Sequence, residues 1–492
     1  MMRKFLLGIL FLSINITASA QQFNSQGHPL ITNFSAEHYN GTDQTWSIVQ
    51  DDRGVMYFGT WENGILEYDG FTWRKIPIPD NKPIYSLAKG DDGTIYVGSS
   101  GDFGYLEPTA IGGLQYVSLL NLLNDSIKQD FTQIFKTYVF KGETYFCSKS
   151  YIFIYDRNNI DAIYLGDKNL YANFLTFICN DKIYVGSYIK GLRILNGKKF
   201  EIAPGAKVFE NKNIFSILPY KNNNLLVITD NGLYNYNPHT GESEQIENDL
   251  IRRLIRESFI PYNSILLNNG NYGVGNIKGD WVSFLELAEG LKSNSILNKD
   301  IGLQSNLITS LYQEGDTPAW ATFFDGGVSK IEINSNFRKF AKESGIDDMI
   351  TDIIRFNGTL YISTANGVYF LKNDINGIPK FLRVKNIYGV VWDLLEFKTT
   401  KDKSILLAGS HNDGIFEIKG DAASSVSEKL SAKFPNVQHN VFSLYQSTSN
   451  PQILYIGMTG TLASATWRGD WVETKKIMED KLNHDVRGIT ED

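Results

Sequence analysis

Trp46-Ser-Ile-Val-Gln-Asp-Asp-Arg-Gly-Val-Met-Tyr-Phe-Gly-Thr60, followed by Asn63-Gly-Ile-Leu-Glu-Tyr-Asp-Gly70 and Thr72-Trp73-Arg74, reads as one phrase. A β-run, an Asp/Gly turn, a second β-run ending in Gly, a Gly-containing loop and a third β-run follow one another. The phrase returns at Thr45, Ile84, Ile134, Phe174, Ile214, Phe259 and Leu307, at spacings of 39 to 50 residues. Repeats of about 40 residues, each holding about four short strands, are the signature of a β-propeller. The expected fold class is therefore all-β, with a seven-bladed β-propeller over residues 21–340.

Three further copies follow Phe340. Ile350-Thr-Asp-Ile-Ile354 pairs with Thr359-Leu-Tyr-Ile-Ser-Thr364, Val390-Val-Trp-Asp-Leu-Leu395 with Ile405-Leu-Leu-Ala-Gly409, and Val441-Phe-Ser-Leu-Tyr445 with Ile453-Leu-Tyr-Ile-Gly457. Asp485-Val-Arg-Gly-Ile-Thr-Glu-Asp492 parallels Thr45 to Asp52 and opens a fourth. Residues 341–492 thus read as the start of a second, incomplete propeller. An array in which each blade needs a neighbour makes a fragment of a longer protein the expectation. The turns have local causes: Asp52-Arg-Gly54, Asp91-Asp-Gly93 and Asn63-Gly64 put Gly where a tight hairpin needs positive φ.

The first twenty residues read as a signal peptide. Arg3 and Lys4 are basic, Phe5 to Ile16 are apolar, and Ala18-Ser19-Ala20 supplies small residues for cleavage before Gln21. No later segment is long enough to span a bilayer. Removing Arg3 and Lys4 takes the 47 basic residues to 45 against 54 acidic, a charge of −9. That balance attracts neither nucleic acid nor anionic lipid. Cys147 and Cys179 sit in apolar strand-like runs and read as independent core residues.

Catalytic and metal motifs are absent from the sequence. The six histidines lie at no metal-ligand spacing, and there is no nucleophile elbow, phosphate loop or dinucleotide fingerprint. Asp91-Asp-Gly-Thr-Ile-Tyr96 loosely resembles the Asp-box turn of sialidase propellers, a structural turn, without an arginine cluster beside it. The expectation is no enzyme, no cofactor and no metal.

A ligand would meet such a ring on its loops. In an up-and-down blade the loop between strands two and three shares a face with the crossover to the next blade. In the first ring these loops read Trp61, Glu62, Asn63; Asp102, Phe103; Tyr188, Lys190; Asp230, Asn231; Asn271, Tyr272; and Phe324, Asp325. Aromatics interleaved with carboxylates and amides suit a polar ring-shaped ligand such as a sugar. The alternative is that these aromatics pack between blades. In the second ring His411, Asn412 and Asp413 hold the equivalent loop.

The repeat resembles the two-component regulator propeller of periplasmic sensor regions in Bacteroidota-type signalling proteins. The resemblance rests on Trp46 to Thr60, Gly64-Ile-Leu-Glu-Tyr-Asp-Gly70, and Gly302-Leu-Gln-Ser-Asn306 before Leu307-Ile-Thr-Ser-Leu311. Ile31-Thr-Asn-Phe-Ser35 also looks like the lead-in to a first blade in such sensors. It implies two propellers, a three-tyrosine domain, a membrane helix and a cytoplasmic output. It further implies a periplasmic sensor region, with a homodimer as an option for the full-length receptor; the expected ligand, a glycan fragment or other small molecule, rests on the rim residues and not on the resemblance. A secreted glycan-active propeller enzyme and a protein-interaction scaffold are the competing readings. The motif describes scaffold and transfers no ligand residue.

Overall fold

The computed structural model describes residues 27–166, 176–247, 260–276, 279–287, 290–340, 342–373, 379–426, 440–478 and 484–491. The signal peptide expected over 1–20 lies outside them. The described strands assemble into ten four-stranded antiparallel sheets. Two compact units contain them, Gly27–Glu343 and the residues from Ser344 onward.

The first unit holds seven sheets whose innermost strands begin at Thr45, Ile84, Lys136, Thr176, Ile214, Pro261 and Ile308. Each innermost strand adjoins the next, and the seventh returns to the first. The result is a closed seven-bladed propeller. Blades 1 to 6 are built from four consecutive strands, as in Thr45–Gln50, Met56–Thr60, Ile65–Tyr68 and Trp73–Ile76. Blade 7 differs: its inner three strands end at Val328–Ile331, and Ile31–Phe34 pairs onto that strand, Phe34 opposite Val328. Ile31 to Phe34 is therefore the outer strand of the last blade rather than a lead-in to the first, and it closes the ring.

The Gly that ends the second β-run has a packing cause. A Cβ on Gly59 would lie 2.6 Å from Cγ2 of Ile84, and one on Gly98 2.5 Å from Cγ2 of Ile134. Gly275 faces Ile308 in the same way, at 2.6 Å. In each case a residue at or just before the start of the following blade's inner strand fills the space a side chain would need, and at Gly59 and Gly98 the Ser47 and Ser86 hydroxyls of the same blade crowd it as well. A hydroxyl fastens the same seam in several blades: Ser86 Oγ donates to the Ile134 carbonyl at 3.0 Å, and Thr309 Oγ1 to the Thr45 carbonyl at 2.5 Å.

The core lies between blades. Val49, Tyr57, Ile65, Ile84 and Val97 join blades 1 and 2. Tyr39, Phe58, Leu66, Trp320 and Val328 join blades 7 and 1. Fully burying one such apolar side chain contributes about 1.5–3 kcal/mol. Both thiols are free and buried; burial pushes Cys147 up to about 12 and Cys179 up to about 11.

The second unit repeats the plan three times, with inner strands Ile350–Phe356, Val391–Thr400 and Val441–Gln446. After the third blade Val486, not the Asp485 that the sequence parallel aligns with Thr45, takes the place of the next blade's first residue, packed against Gly457. Its N–H donates to Met458 O at 3.1 Å, and Ser443 Oγ donates to its carbonyl at 2.9 Å.

Candidate functional site

The inner strands of blades 1, 2, 5, 6 and 7 share a bulge. In blade 1 Thr45 pairs with Thr60 and Ser47 with Gly59, so the ladder skips Trp46. It skips Tyr85 in blade 2, Phe215 in blade 5, Tyr262 in blade 6 and Thr309 in blade 7. A bulge puts two residues opposite one and re-aims a side chain. In blades 1, 2 and 6 it aims the skipped aromatic, Trp46, Tyr85 or Tyr262, toward the rings of other blades.

The consequence is an aromatic constellation centred on Trp46. Its ring lies 5.7 Å from Tyr85, 5.8 Å from Tyr262, 5.9 Å from Phe324 and 6.2 Å from Trp61, centroid to centroid. Trp61 meets Tyr85 edge-on at 6.1 Å, and Phe135 of blade 3 adds a ring 5.5 Å from Tyr85. Blades 6 and 1 are two places apart in the ring, so Tyr262 and Trp46 can touch only near its axis. The constellation therefore sits at one mouth of the central channel.

Polar groups complete it. Trp46 Nε1 is buried and has no hydrogen-bond partner among the described residues, a donor left for water or a ligand. Lys149, in the second-to-third loop of blade 3, holds Nζ 5.3 Å from the Phe135 ring centroid. Burial raises the phenol pKa of Tyr85, against the opposing effect of Gln133, and raises that of Tyr262. Both hydroxyls thus stay protonated.

Two of the rim aromatics expected from sequence, Trp61 and Phe324, belong to this mouth. Tyr188 is 43% exposed on the same kind of loop but makes no ring contact with them. Glu62 and Lys190 are exposed on theirs. Asn63 accepts from Lys75 Nζ at 3.2 Å and donates its N–H to Thr60 Oγ1 at 3.0 Å. Asp325 accepts from Ser305 Oγ, and Asp230 from Asn213 Nδ2 at 2.8 Å. Those two carboxylates hold the crossover that leads into their own inner strand.

Four expected contacts are corrected. Phe103 is fully buried, 4.6 Å from Phe146 and 4.9 Å from Phe153, in the core between blades 2 and 3. Asp102, also buried, accepts from Ser118 Oγ at 2.7 Å and from the Phe103 N–H at 2.8 Å. Tyr272 and Asn271 begin the second strand of blade 6, Asn271–Asn276, beside the first hairpin turn and so on the opposite face. The Tyr272 hydroxyl donates to Pro219 O at 3.0 Å. The asparagine-rich turn before Asn271 displaced the expected loop by one strand.

The sequence reading missed Trp46, Tyr85, Phe135, Tyr262 and Lys149. The signal was available in part: an aromatic stands second in the phrase in blades 1, 2, 3 and 5, and Tyr262 joins them only once the strand start is fixed at Pro261. It passes for core because strands favour aromatics everywhere.

A cleft of about 550 Å³ opens on the opposite face, lined by Asp51, Asp52, Arg53, Glu67 and Asp92 of blades 1 and 2. Its carboxylates are taken. Asp51 pairs with Arg53 at 2.7 Å, Asp52 with Lys89 at 2.8 Å, Glu67 with Arg74 at 3.0 Å and Asp92 with Arg157 at 3.0 Å. Among the described residues no three His, Cys, Asp or Glu side chains gather as a metal site, and no helix is long and apolar enough to cross a membrane.

No family model matches the chain, and no curated protein matches it. Among solved structures it is similar to the extracellular domain of BT3049 from B. thetaiotaomicron, assigned to the hybrid two component class. The TM-score is 0.52 at 16% identity, over 91% of this chain and 66% of that one. The chain shares its fold with that domain. The extracellular domain of BT4673 from the same organism gives 0.47 at 15% identity, over 90% of this chain and 59% of the other. Virginiamycin B lyase from Staphylococcus aureus gives 0.46 at 12% identity, over 61% of this chain and 98% of the lyase. The chain thus spans less than two thirds of both B. thetaiotaomicron domains.

Proposed function

We propose that this chain is the ligand-sensing region of an exported, two-component-type signal receptor, residing in the periplasm. The channel mouth of its first ring takes a glycan fragment or another small polar ring-shaped molecule. Occupancy is relayed to an output module outside these residues. One observation carries the reading: four aromatic rings, Trp61, Tyr85, Tyr262 and Phe324, surround Trp46, whose indole N–H is buried and unpaired among the described residues, and Phe135 extends the cluster through Tyr85. Rings offer stacking faces to a pyranose, and the N–H, the tyrosine hydroxyls and Lys149 offer polar partners. The fold shared with the BT3049 extracellular domain supports a sensor rather than an enzyme. A sensor works only if its ligand favours one arrangement over another, because equal affinity for both shifts nothing.

The test is calorimetric titration of a glycan library against the mature protein, then against the Trp61→Ala/Phe324→Ala double variant and Tyr188→Ala. Losing two stacking faces, each worth on the order of 1 kcal/mol, weakens binding about tenfold or more in the double variant. Tyr188→Ala leaves it unchanged. Undiminished affinity in the double variant moves the site off this mouth, and turnover of a glycan replaces the sensor with the enzyme.

A further inference from the structure

The second unit carries its own constellation, and its chemistry differs. The bulge there skips Thr351, Trp392 and Phe442 in the three inner strands. Val486 occupies the first position of the phrase that follows, against Gly457, as Val441 does against Gly409. Arg487 is therefore in the register of Trp392 and Phe442: a cation stands where the preceding two blades place a ring. Its guanidinium carbon lies 5.5 Å from the Trp392 centroid and 5.0 Å from that of Phe442. His411, from the second-to-third loop of blade 9, meets Phe442 edge-on at 5.8 Å.

Unmatched hydrogen-bonding groups mark this corner. Trp392 Nε1 and His411 Nδ1 are buried and have no partner among the described residues. Arg487 gives one terminal nitrogen to Asp485 at 3.1 Å, and its side chain is 64% exposed. A guanidinium covered on its face by aromatic rings keeps its donors in its own plane. In-plane paired N–H groups match the two oxygens of a carboxylate. The indole N–H adds a third donor, and His411 can supply a fourth. Buried polar groups are ordinarily satisfied, and a carboxylate meets donors of this kind where a neutral hydroxyl meets them only singly.

We propose that Arg487, Trp392, Phe442 and His411 form a second ligand site, selective for a ring-shaped molecule bearing a carboxylate. The carboxylate binds the Arg487 edge and the Trp392 N–H, and the ring lies against Phe442 and His411. This site is independent of the first-ring mouth, so either can fail without the other.

The probe is the Trp392 indole cross-peak of full-chain protein labelled with ¹⁵N at tryptophan, assigned by its loss in Trp392→Phe. Benzoate and D-glucuronate are titrated against their uncharged counterparts benzyl alcohol and D-glucose. At least one carboxylate is expected to move the peak while its counterpart does not. Which one does so tells an aromatic acid from a sugar acid. Arg487→Gln is expected to weaken that binding tenfold or more, and Arg487→Lys, which keeps the charge but loses the planar fork, by a smaller factor. The remaining tryptophan cross-peaks report whether each variant is folded. The proposal is overturned if neither carboxylate moves the peak, if the uncharged counterparts move it as far, or if folded Arg487→Gln binds as tightly as the parent.

Discussion

Thr309 Oγ1 donates a 2.5 Å hydrogen bond to the backbone carbonyl of Thr45, and that bond lies on the seam where the last blade of the first ring meets the first. Thr309 is the residue skipped by the bulge in blade 7, and its hydroxyl also touches Thr322 Oγ1 at 2.9 Å. In blade 7 the bulge thus serves closure, whereas in blades 1, 2 and 6 it serves the aromatic mouth. Thr309→Val keeps the β-branch and leaves the Thr45 carbonyl without this donor. The expected loss is about 1 kcal/mol of stability, read as a lower urea midpoint at unchanged slope.

Closure also depends on Ile31–Phe34. A chain beginning at Ala36 exposes the edge of Val328–Ile331, and exposed edges recruit other strands. Calorimetry should show a lower melting temperature, and sedimentation should show self-association that the intact protein lacks at the same concentration.

Gly98→Ala tests the packing of one blade on the next. The new methyl would crowd Ser86 Oγ of its own blade and sit 2.5 Å from Ile134 Cγ2 and 2.8 Å from Thr137 Oγ1 of the next. Overpacking of this kind costs about 1–3 kcal/mol. Ile134→Ala in the same chain removes one of the three crowding groups and leaves the Ser86 and Thr137 hydroxyls, so the double variant should lose somewhat less stability than the sum of the singles in denaturant titration.

Core and mouth aromatics should separate cleanly. Phe103→Ala, in a fully buried cluster, should cost about 3–5 kcal/mol in unfolding free energy. Trp61→Ala, half-buried at the mouth, should cost far less stability and show its effect in ligand titration. Equal destabilisation by both would place Trp61 in the core.

Asp393 makes the second unit pH-sensitive. Burial pushes its carboxyl up to about 6, the N–H of Leu444 pulls the other way, and the nearby Asp352 carboxylate adds to the rise. A folded-state value above the unfolded 3.8 favours the protonated form. Its contribution is full below about 3.8 and is lost as pH rises through about 6. Acidifying from pH 7 to 5 should therefore raise the unfolding midpoint of this unit. Asp393→Asn should remove most of that rise and stabilise the unit at pH 7 by on the order of 1–3 kcal/mol. A flat midpoint between pH 5 and 7 in the parent would count against it.

The amino-acid sequence alone determined the repeat, its spacing, the all-β class and, to within two residues, where the inner strands begin, because hydrophobic alternation and Asp/Gly turns are local. Thr45, Ile84, Ile214, Ile350 and Val441 start strands as the phrase predicts. Where a turn was ambiguous, the reading slipped: the asparagines before Tyr272 look like either hairpin loop, and only pairing to Pro261–Leu266 fixes which one they form. Three things were decided by tertiary structure alone. Ile31–Phe34 completes a blade built from residues about 300 positions later, Phe103 is core rather than rim, and Trp46 reaches Tyr262 across the channel. Each depends on which blade faces which, a long-range fact. A side chain's environment in a ring is set by the neighbouring blade and by the bulge that turns it, and neither is written in the few residues around it.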